Sequence, residues 1–213
     1  MEPRDIISLL YANRNKRNIA GMNRYDIVSK AEILGVSKPA LRRIAKNIGR
    51  NHKLALELWE SGIHEARILA SIIADPDKHD EKTMDSWVRD IDNWDLCDQC
   101  VLNLFWRTTY AVKKAKEWSL SGEEFVRRAG IVLMARLAWR DKTLDDGVFI
   151  DFLEILEKII DDKRRYVWKA IVWALKKIGL RNKRLKELAN NFCNRIRRKG
   201  QGIVNEVLRY LNK

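Results

Sequence analysis

The sequence lacks the features of a membrane-bound, secreted or disulfide-bonded protein. None of its apolar runs approaches the roughly 20 residues of a membrane-spanning helix. Its first residues, MEPRDIISLL, have neither the basic segment nor the small-residue cleavage site of a secretory signal. Its three cysteines, an odd number, argue against a disulfide framework and for reduced thiols. We therefore expect a cytoplasmic protein that makes no contact with membranes.

The common catalytic and metal-binding motifs are missing too. There is no GxxxxGKS or GxxxxGKT phosphate loop, no GxSxG nucleophile elbow and no HExxH zinc motif. Cys97 and Cys100 form a CxxC, but no second CxxC and no suitably spaced histidine accompanies it. Thioredoxin-like redox chemistry would need strands around that motif, and none is indicated. We expect no metal and no other cofactor, and we expect both thiols to pack inward.

Strand patterns are scarce. No stretch alternates apolar and polar residues over six positions between turn signals, whereas almost every segment repeats apolar residues at three- and four-residue spacing. Between Ser37 and Gly49, for example, Ser37 can cap a helix, Pro39 fits its first turn and Gly49 can end it. The same spacing predicts further helices at residues 3–12, 24–34, 51–61, 63–75, 80–90, 94–104, 107–119, 123–139, 147–160, 164–179, 183–198 and 202–212. The predicted fold class is all-α.

Two segments of the chain repeat each other. FVRRAGIVLMARLAWRDK from Phe125 and YVWKAIVWALKKIGLRNK from Tyr166 align without a gap at a period of 41, and IHEARILASIIADPDK from Ile63 is a weaker third copy. Forty-odd residues is the spacing of two-helix HEAT or armadillo units. The sequence therefore predicts a single domain over residues 1–213, a right-handed α-solenoid of HEAT-like helix pairs with a concave basic groove.

Charge is strongly unbalanced. The chain has 42 lysines and arginines against 29 acidic residues, a net charge of +13, and residues 163–213 alone hold sixteen basic residues against two glutamates. Such an excess indicates a polyanionic partner. Two helical faces carry the candidate phosphate contacts, and the second includes an aromatic plane at i+4. The residues are Arg42, Arg43 and Lys46 on the first face, and Lys169, Trp173 and Lys177 on the second.

The stretch NWDLCDQC combines a tryptophan and a carboxylate at helical spacing. Trp94 and Asp98 are four residues apart, so on a helix their side chains share one face. A π-surface beside a carboxylate can stabilise a cation. The plainer alternative is a core tryptophan next to an aspartate that is solvated or paired with a lysine, a combination that arises often by chance.

Several ordered segments resemble one family. NRYDIVSKAEILGVSKPALRRIAK, ELWESGIHEARILAS, SWVRDIDNWDLCDQ, EEFVRRAGIVLMA and VWKAIVWALKKIG together make the chain look like the AlkD-type DNA alkylation-repair glycosylases, which are built from HEAT-like helix pairs. The resemblance implies a DNA glycosylase that removes cationic N3- or N7-alkylated purines from double-stranded DNA. It implies central roles for Trp94, Asp98 and Arg128, and DNA-facing positions for Tyr25 and Trp173. We expect a nucleoid-associated protein, and we expect a monomer because a solenoid with capped ends usually is one.

The chemistry of these residues agrees with that resemblance. Alkylation at a ring nitrogen makes a purine cationic and a fair leaving group without protonation. The remaining need is to stabilise the deoxyribose as it becomes oxocarbenium-like, and a carboxylate beside the sugar does this. Asp98 is the candidate carboxylate, Trp94 the candidate π-surface, and Arg128 the candidate contact to a backbone phosphate.

Two other functions stay open, and one of the residues has a structural alternative. The chain could be a HEAT-like protein that binds damaged or structured DNA without excising bases, or a HEAT-like scaffold for proteins, although the latter would not need so basic a C-terminal segment. Arg128 could instead pair with Glu124 within its helix.

Overall fold

The computed structural model describes residues 2–197 and 201–212, and the chain divides into two compact units, residues 1–108 and 109–213. Within the described residues, thirteen α-helices and one short 3-10 helix form, and the only β-pairing is an isolated bridge between Glu32 and Ile63. The predicted all-α class is therefore confirmed. In the same ranges no helix is both long and apolar enough to cross a membrane. The single continuous domain, its handedness and its groove stay predictions.

The first unit holds seven α-helices and the 3-10 turn Phe105–Arg107 within its described part. The helices are α1 (Pro3–Ala12), α2 (Lys16–Arg24), α3 (Lys38–Ile48), α4 (His52–Trp59), α5 (His64–Ile73), α6 (Glu81–Arg89) and α7 (Trp94–Asn103). Helix α5 packs against α3, α4 and α7, which makes it the centre of this unit's core.

The second unit contributes six described α-helices. They are α8 (Ala111–Ser119), α9 (Glu124–Arg140), α10 (Asp146–Lys158), α11 (Arg165–Gly179), α12 (Lys183–Ile196) and α13 (Gln201–Leu211). Helices α9 and α11 are the two segments that repeat in the sequence, and they pack against each other. Helix α9 also packs against α8, so it is buried on two sides.

Three helices begin with the same capping device. Asn51, Asn93 and Asn182 each accept a hydrogen bond from the backbone N–H of a leucine three residues later, at 3.1, 3.0 and 2.9 Å. This interaction satisfies an amide that the helix itself leaves unpaired. The leucines are buried, so one short Asn-x-x-Leu pattern fixes both the start of the helix and one core contact. In α7 this device sets the position of the residues that follow Asn93.

One predicted helix is wrong. Residues 24–34 are not helical; α2 ends at Arg24, and an irregular segment follows that includes the bridge at Glu32. Asp26 has φ 55° and Gly35 has φ 74°, conformations that a helix cannot contain. At Gly35 a Cβ would also collide with the carbonyl of Asn15. The apolar spacing that suggested a helix instead buries single residues of an extended segment, and the asparagine cap of α2 was overlooked.

The other predicted helices are present, with ends within four residues of those observed. Residue 198, at the end of the predicted helix 183–198, lies outside the described residues.

An aromatic cluster in the first unit encloses a histidine. His79 is 1% exposed and lies 4.6 Å from the Trp87 ring, 5.9 Å from Phe105 and 5.8 Å from His52, between ring centroids. Neither of its ring nitrogens has a hydrogen-bond partner within the described residues. Burial, helped by repulsion from His52 and opposed by Asp80, lowers the pKa of His79 to about 4.

Stability should therefore fall as the pH drops from about 6.5 to 4. The unfolded chain takes up a proton on His79 near pH 6.5, but the folded chain resists it until about pH 4. The difference corresponds to about 3 kcal/mol of unfolding free energy from this group. Urea denaturation at a series of pH values measures it, with His79→Leu as the comparison. If the stability of His79→Leu falls as steeply over this pH range as that of the wild type, His79 is not the cause of the loss.

Candidate active site

Helix α7 presents the tryptophan and the carboxylate of the sequence prediction. Trp94 is its first residue, immediately after the Asn93 cap, and Asp98 follows one turn later. Both side chains are half-buried. Since residues four apart on a helix share a face, the indole and the carboxylate are neighbours that remain partly open to a ligand.

Tyr25 lies beside Trp94 although 69 positions separate them in the sequence. The indole Nε1 of Trp94 donates a hydrogen bond of 2.9 Å to the backbone carbonyl of Tyr25. Tyr25 is the C-terminal cap of α2 and is 72% exposed, the largest exposure among the bulky hydrophobic residues of the described chain. The structure thus brings Tyr25 to Trp94, at the first turn of α7.

A buried charged cluster holds the start of α7. The carboxylate of Asp95 accepts hydrogen bonds from Lys38 Nζ and, at 3.3 Å, from His64 Nε2, and His64 Nδ1 lies 3.5 Å from the amide of Asn93. Burial raises the pKa of Asp95, but the hydrogen bond from His64 and the charge of Lys38 outweigh it and hold the pKa below its usual range. Asp95 therefore stays ionised and ties α7 to α3 and α5.

Sequence reasoning missed this cluster. Asp95 stands between Trp94 and Asp98 in the same motif, and nothing in the spacing distinguishes a carboxylate that points inward from one that points outward. Helical periodicity does not separate the two either, because Asp95 and Asp98 lie only about 60° apart around the helix axis, on the same side of Trp94.

A cavity of about 360 Å³ adjoins Tyr25 in the first unit. Its lining combines apolar residues with charged ones, and its size lies at the lower end of the range of ligand pockets. The lining residues are Arg17, Asn18, Gly21, Met22, Tyr25, Ile27, Gly35, Val36, Ser37, Lys38, Glu65 and Asp95. Glu65, which the sequence did not single out, accepts hydrogen bonds from the backbone N–H groups of Leu34 at 2.9 Å and Gly35 at 2.6 Å.

The basic face predicted on α3 is exposed. Arg42, Arg43 and Lys46 face solvent, whereas Leu41, Ile44 and Ala45 of the same helix are buried. Three cations on the solvent side of one helix form a surface suited to phosphate groups. Their contact with DNA stays a prediction.

Arg128 lies in the interior of the second unit. It is 5% exposed, and its Nη1 donates a hydrogen bond of 2.5 Å to the backbone carbonyl of Tyr166, which joins α9 to the first turn of α11. The preceding Arg127 binds Asp162 at 2.6 Å. Burial raises the pKa of Asp162, but hydrogen bonds from Arg164 and Arg127 hold it far below its usual range. The phosphate contact predicted for Arg128 remains untested.

The three residues of the stripe predicted on α11 lie in two different environments. Lys169 is exposed and Trp173 half-buried, and both line a cavity of about 320 Å³ together with Trp168, Val172, Lys176 and Glu206. Lys177 turns away from that cavity, with its Nζ 4.9 Å from the centroid of Trp139. Trp168 is a cavity residue that the sequence reasoning did not select.

The cysteines of the CxxC motif are fully buried, as expected from their spacing. Burial raises the pKa of the Cys100 thiol far above its usual range, and it raises that of Cys193 to about 11. Both thiols are therefore protonated and unreactive at neutral pH. Within the described residues no three of the histidine, cysteine or carboxylate side chains gather into a metal-binding group.

Comparisons with known proteins identify the fold and the family. No curated protein sequence matches the chain. One solved structure is similar to it with a TM-score of 0.81 and 25% sequence identity, over 91% of this chain and 83% of the other. That structure belongs to a family of proteins related to the HEAT-like repeat DNA glycosylases with affinity for branched DNA structures. The likeness confirms a HEAT-like repeat fold. The family model described as DNA alkylation repair enzyme matches residues 6–197, and the chain is therefore a member of the DNA alkylation repair family.

Proposed function

We propose that the protein hydrolyses the N-glycosidic bond of cationic N3- or N7-alkylated purines in double-stranded DNA. The observation that carries the proposal is the first turn of α7. In a chain of the DNA alkylation repair family, it places a half-buried indole and a half-buried carboxylate one turn apart, with the indole hydrogen-bonded to the backbone of Tyr25. These three residues are among the five that the family resemblance selects, with Arg128 and Trp173 as the other two.

The proposed reaction needs no protonation of the base. As the C1′–N bond breaks, its electron pair neutralises the alkylated purine, and positive charge develops on the deoxyribose. Asp98 stabilises that charge, and the face of Trp94 attracts the cationic base or sugar. A water molecule adds its oxygen to C1′ and releases a proton. The products are the free alkylated base and an abasic site, with no covalent enzyme intermediate.

Binding of the duplex relies on the positive surface. The net charge is +13, and the exposed cations of α3, with Lys169 on α11, are suited to the phosphate backbone. Trp173 adds an aromatic plane beside Lys169. Arg128 enters the proposal through its family motif; its hydrogen bond to Tyr166 fixes the guanidinium, and only the small exposed part of that group is left for a phosphate.

Release of free base from methylated DNA tests the proposal. Duplex DNA treated with a methylating agent is incubated with the protein, and free 3-methyladenine and 7-methylguanine are measured by liquid chromatography with mass spectrometry. We expect the protein to release both bases faster, and in greater yield, than they are lost spontaneously in its absence. Unmethylated duplex is the control and should release nothing. A yield equal to spontaneous loss would contradict the proposal.

A second candidate is binding of branched DNA without excision. The solved relative with affinity for branched DNA structures favours it, and so does the burial of Arg128. Under this alternative the protein would bind a three- or four-way junction more tightly than a linear duplex of equal length, and it would release no base from methylated DNA.

A further inference from the structure

An exposed tryptophan in the second unit is surrounded by three cations. Trp139, near the end of α9, is 42% exposed. The guanidinium carbon of Arg140 lies 4.4 Å from its ring centroid, the Nζ of Lys177 lies at 4.9 Å and the guanidinium carbon of Arg136 at 5.2 Å. Helices α9 and α11 both contribute to this group. We call Trp139, Arg136, Arg140 and Lys177 the Trp139 cluster.

Two cations of the Trp139 cluster, Arg140 and Lys177, have no carboxylate beside them in the described part of the chain. Within the described residues, neither Arg140 nor Lys177 takes part in an ion pair. The nearest carboxylate in sequence, Asp141, is instead turned back on its own loop, where it accepts hydrogen bonds from Thr143 and the backbone of Leu144. Cations gathered around one ring repel each other, so an anionic ligand would bind here with a gain in free energy.

The next cation along the chain, Arg181, follows the end of α11 and is engaged elsewhere. Arg181 donates hydrogen bonds to the backbone carbonyls of Asp141 and Leu144, and its guanidinium lies 4.3 Å from the Phe149 ring. These contacts hold the loop after α9 in place. The charges available to a ligand are therefore those of Arg140 and Lys177, beside the exposed aromatic surface of Trp139.

A ligand that matches this patch must combine negative charge with a flat π-surface, and an unpaired nucleotide does so. We propose that the Trp139 cluster binds unpaired nucleotides of a DNA strand, with a base stacked on the exposed part of Trp139 and phosphates held by Arg140 and Lys177. A base inside an intact duplex has both faces covered by its neighbours, whereas an unpaired base offers one. None of the cluster's residues lines the cavity at Trp173, and its role does not depend on base excision.

Binding of a short oligothymidine, compared with a blunt duplex, tests the proposal. In fluorescence anisotropy, Trp139→Ala should weaken oligothymidine binding by roughly 5- to 150-fold, which corresponds to the 1–3 kcal/mol that stacking of one base contributes. Trp139→Phe, which keeps a ring, should recover most of the affinity. Leu180→Ala is the matched control, because it removes another exposed apolar side chain of this unit, and its affinity should equal that of the wild type.

The salt dependence of oligothymidine binding distinguishes the contribution of base stacking from that of the charged side chains. Arg140→Gln should reduce the slope of log affinity against log salt by about 0.7, the value for one phosphate of a single strand, whereas Trp139→Ala should leave the slope unchanged. Circular dichroism melting checks that each variant is folded. The proposal is wrong if Trp139→Ala binds oligothymidine as the wild type does, or if it weakens single strand and duplex equally. None of these readouts uses base release, so the outcome is independent of the proposed glycosylase activity.

Discussion

Asp98→Asn should release alkylated purine at least about a hundredfold more slowly than the wild type, because one preorganised group aimed at developing charge contributes an effect of that order. Asparagine has nearly the same shape as aspartate but carries no charge, so the half-buried position on α7 is filled as before. The lost interaction acts mainly on the cationic sugar of the transition state and little on the bound duplex. DNA affinity should therefore stay within about twofold of the wild type, and removal of a negative charge can only favour a polyanion.

Single-turnover base release and anisotropy with the same methylated duplex measure the two quantities. Glu154→Gln is the matched control, since it removes one exposed carboxylate of α10 that has no place in the proposed site. It should alter neither quantity by more than about twofold. A wild-type rate of base release in Asp98→Asn would show that another group stabilises the sugar.

Asp95→Asn provides a contrast within the same helix. Its carboxylate is buried between Lys38 and His64, so the substitution leaves the half-buried Lys38 without its counter-charge and breaks the contact with His64. We expect a lower melting temperature in that variant. The two aspartates of one motif thus separate into a structural carboxylate and a candidate for the chemistry.

The sequence predicts which residues of one helix lie next to each other. The pairing of Trp94 with Asp98 needs only the helical repeat and the cap at Asn93, and both can be read from the residues. The contact of Trp94 with the Tyr25 carbonyl spans 69 positions, and the pairing of Lys38 with Asp95 spans 57. Such contacts depend on how helices pack, which local spacing does not determine, and only the family resemblance indicated Tyr25.

Arg128 shows a signal that was present but not used. Helix α9 is apolar on almost every side, with an unbroken buried run from Arg128 to Ala135. A helix of that composition lies inside a core, so an arginine within it is expected to bind backbone or a counter-charge before it meets solvent. The basic faces of α3 and α11 can be predicted from the sequence, because each helix has a clear apolar stripe on the opposite side.

The helix predicted over residues 24–34 is absent because its apolar spacing has another cause. Ile27 and Leu34 are buried, as a helical stripe would have them, but the backbone between Asp26 and Gly35 adopts left-handed conformations at both ends. Apolar spacing over so short a segment does not distinguish a helix from an extended segment laid across a core. The bridge from Glu32 to Ile63 forms because this segment runs alongside the turn before α5.

Gly130→Ala should destabilise the protein by about 3 kcal/mol, the upper part of the usual range for overpacking. Gly130 lies in the middle of α9, where α8 approaches it most closely. A Cβ at this position would lie 2.8 Å from the carbonyl carbon of Trp118 and 2.9 Å from the Cα of Ser119, and it would collide with the amide nitrogen of Ser119. All three atoms belong to the backbone, so no side-chain rotation can relieve the contact, and α8 must move as a unit.

The sign of this effect is informative, because intrinsic helix propensity predicts the reverse. Alanine in a helix interior is normally more stable than glycine by about 1 kcal/mol. Gly21→Ala in α2 is the matched control, since no atom lies within 4 Å of the added Cβ, and it should leave stability unchanged or raise it. Thermal unfolding followed by circular dichroism should show Gly130→Ala melting about 6–12 °C lower than the wild type. If both variants melt alike, α8 can withdraw from α9 without cost. In that case the close approach at Gly130 is not what holds this helix pair together.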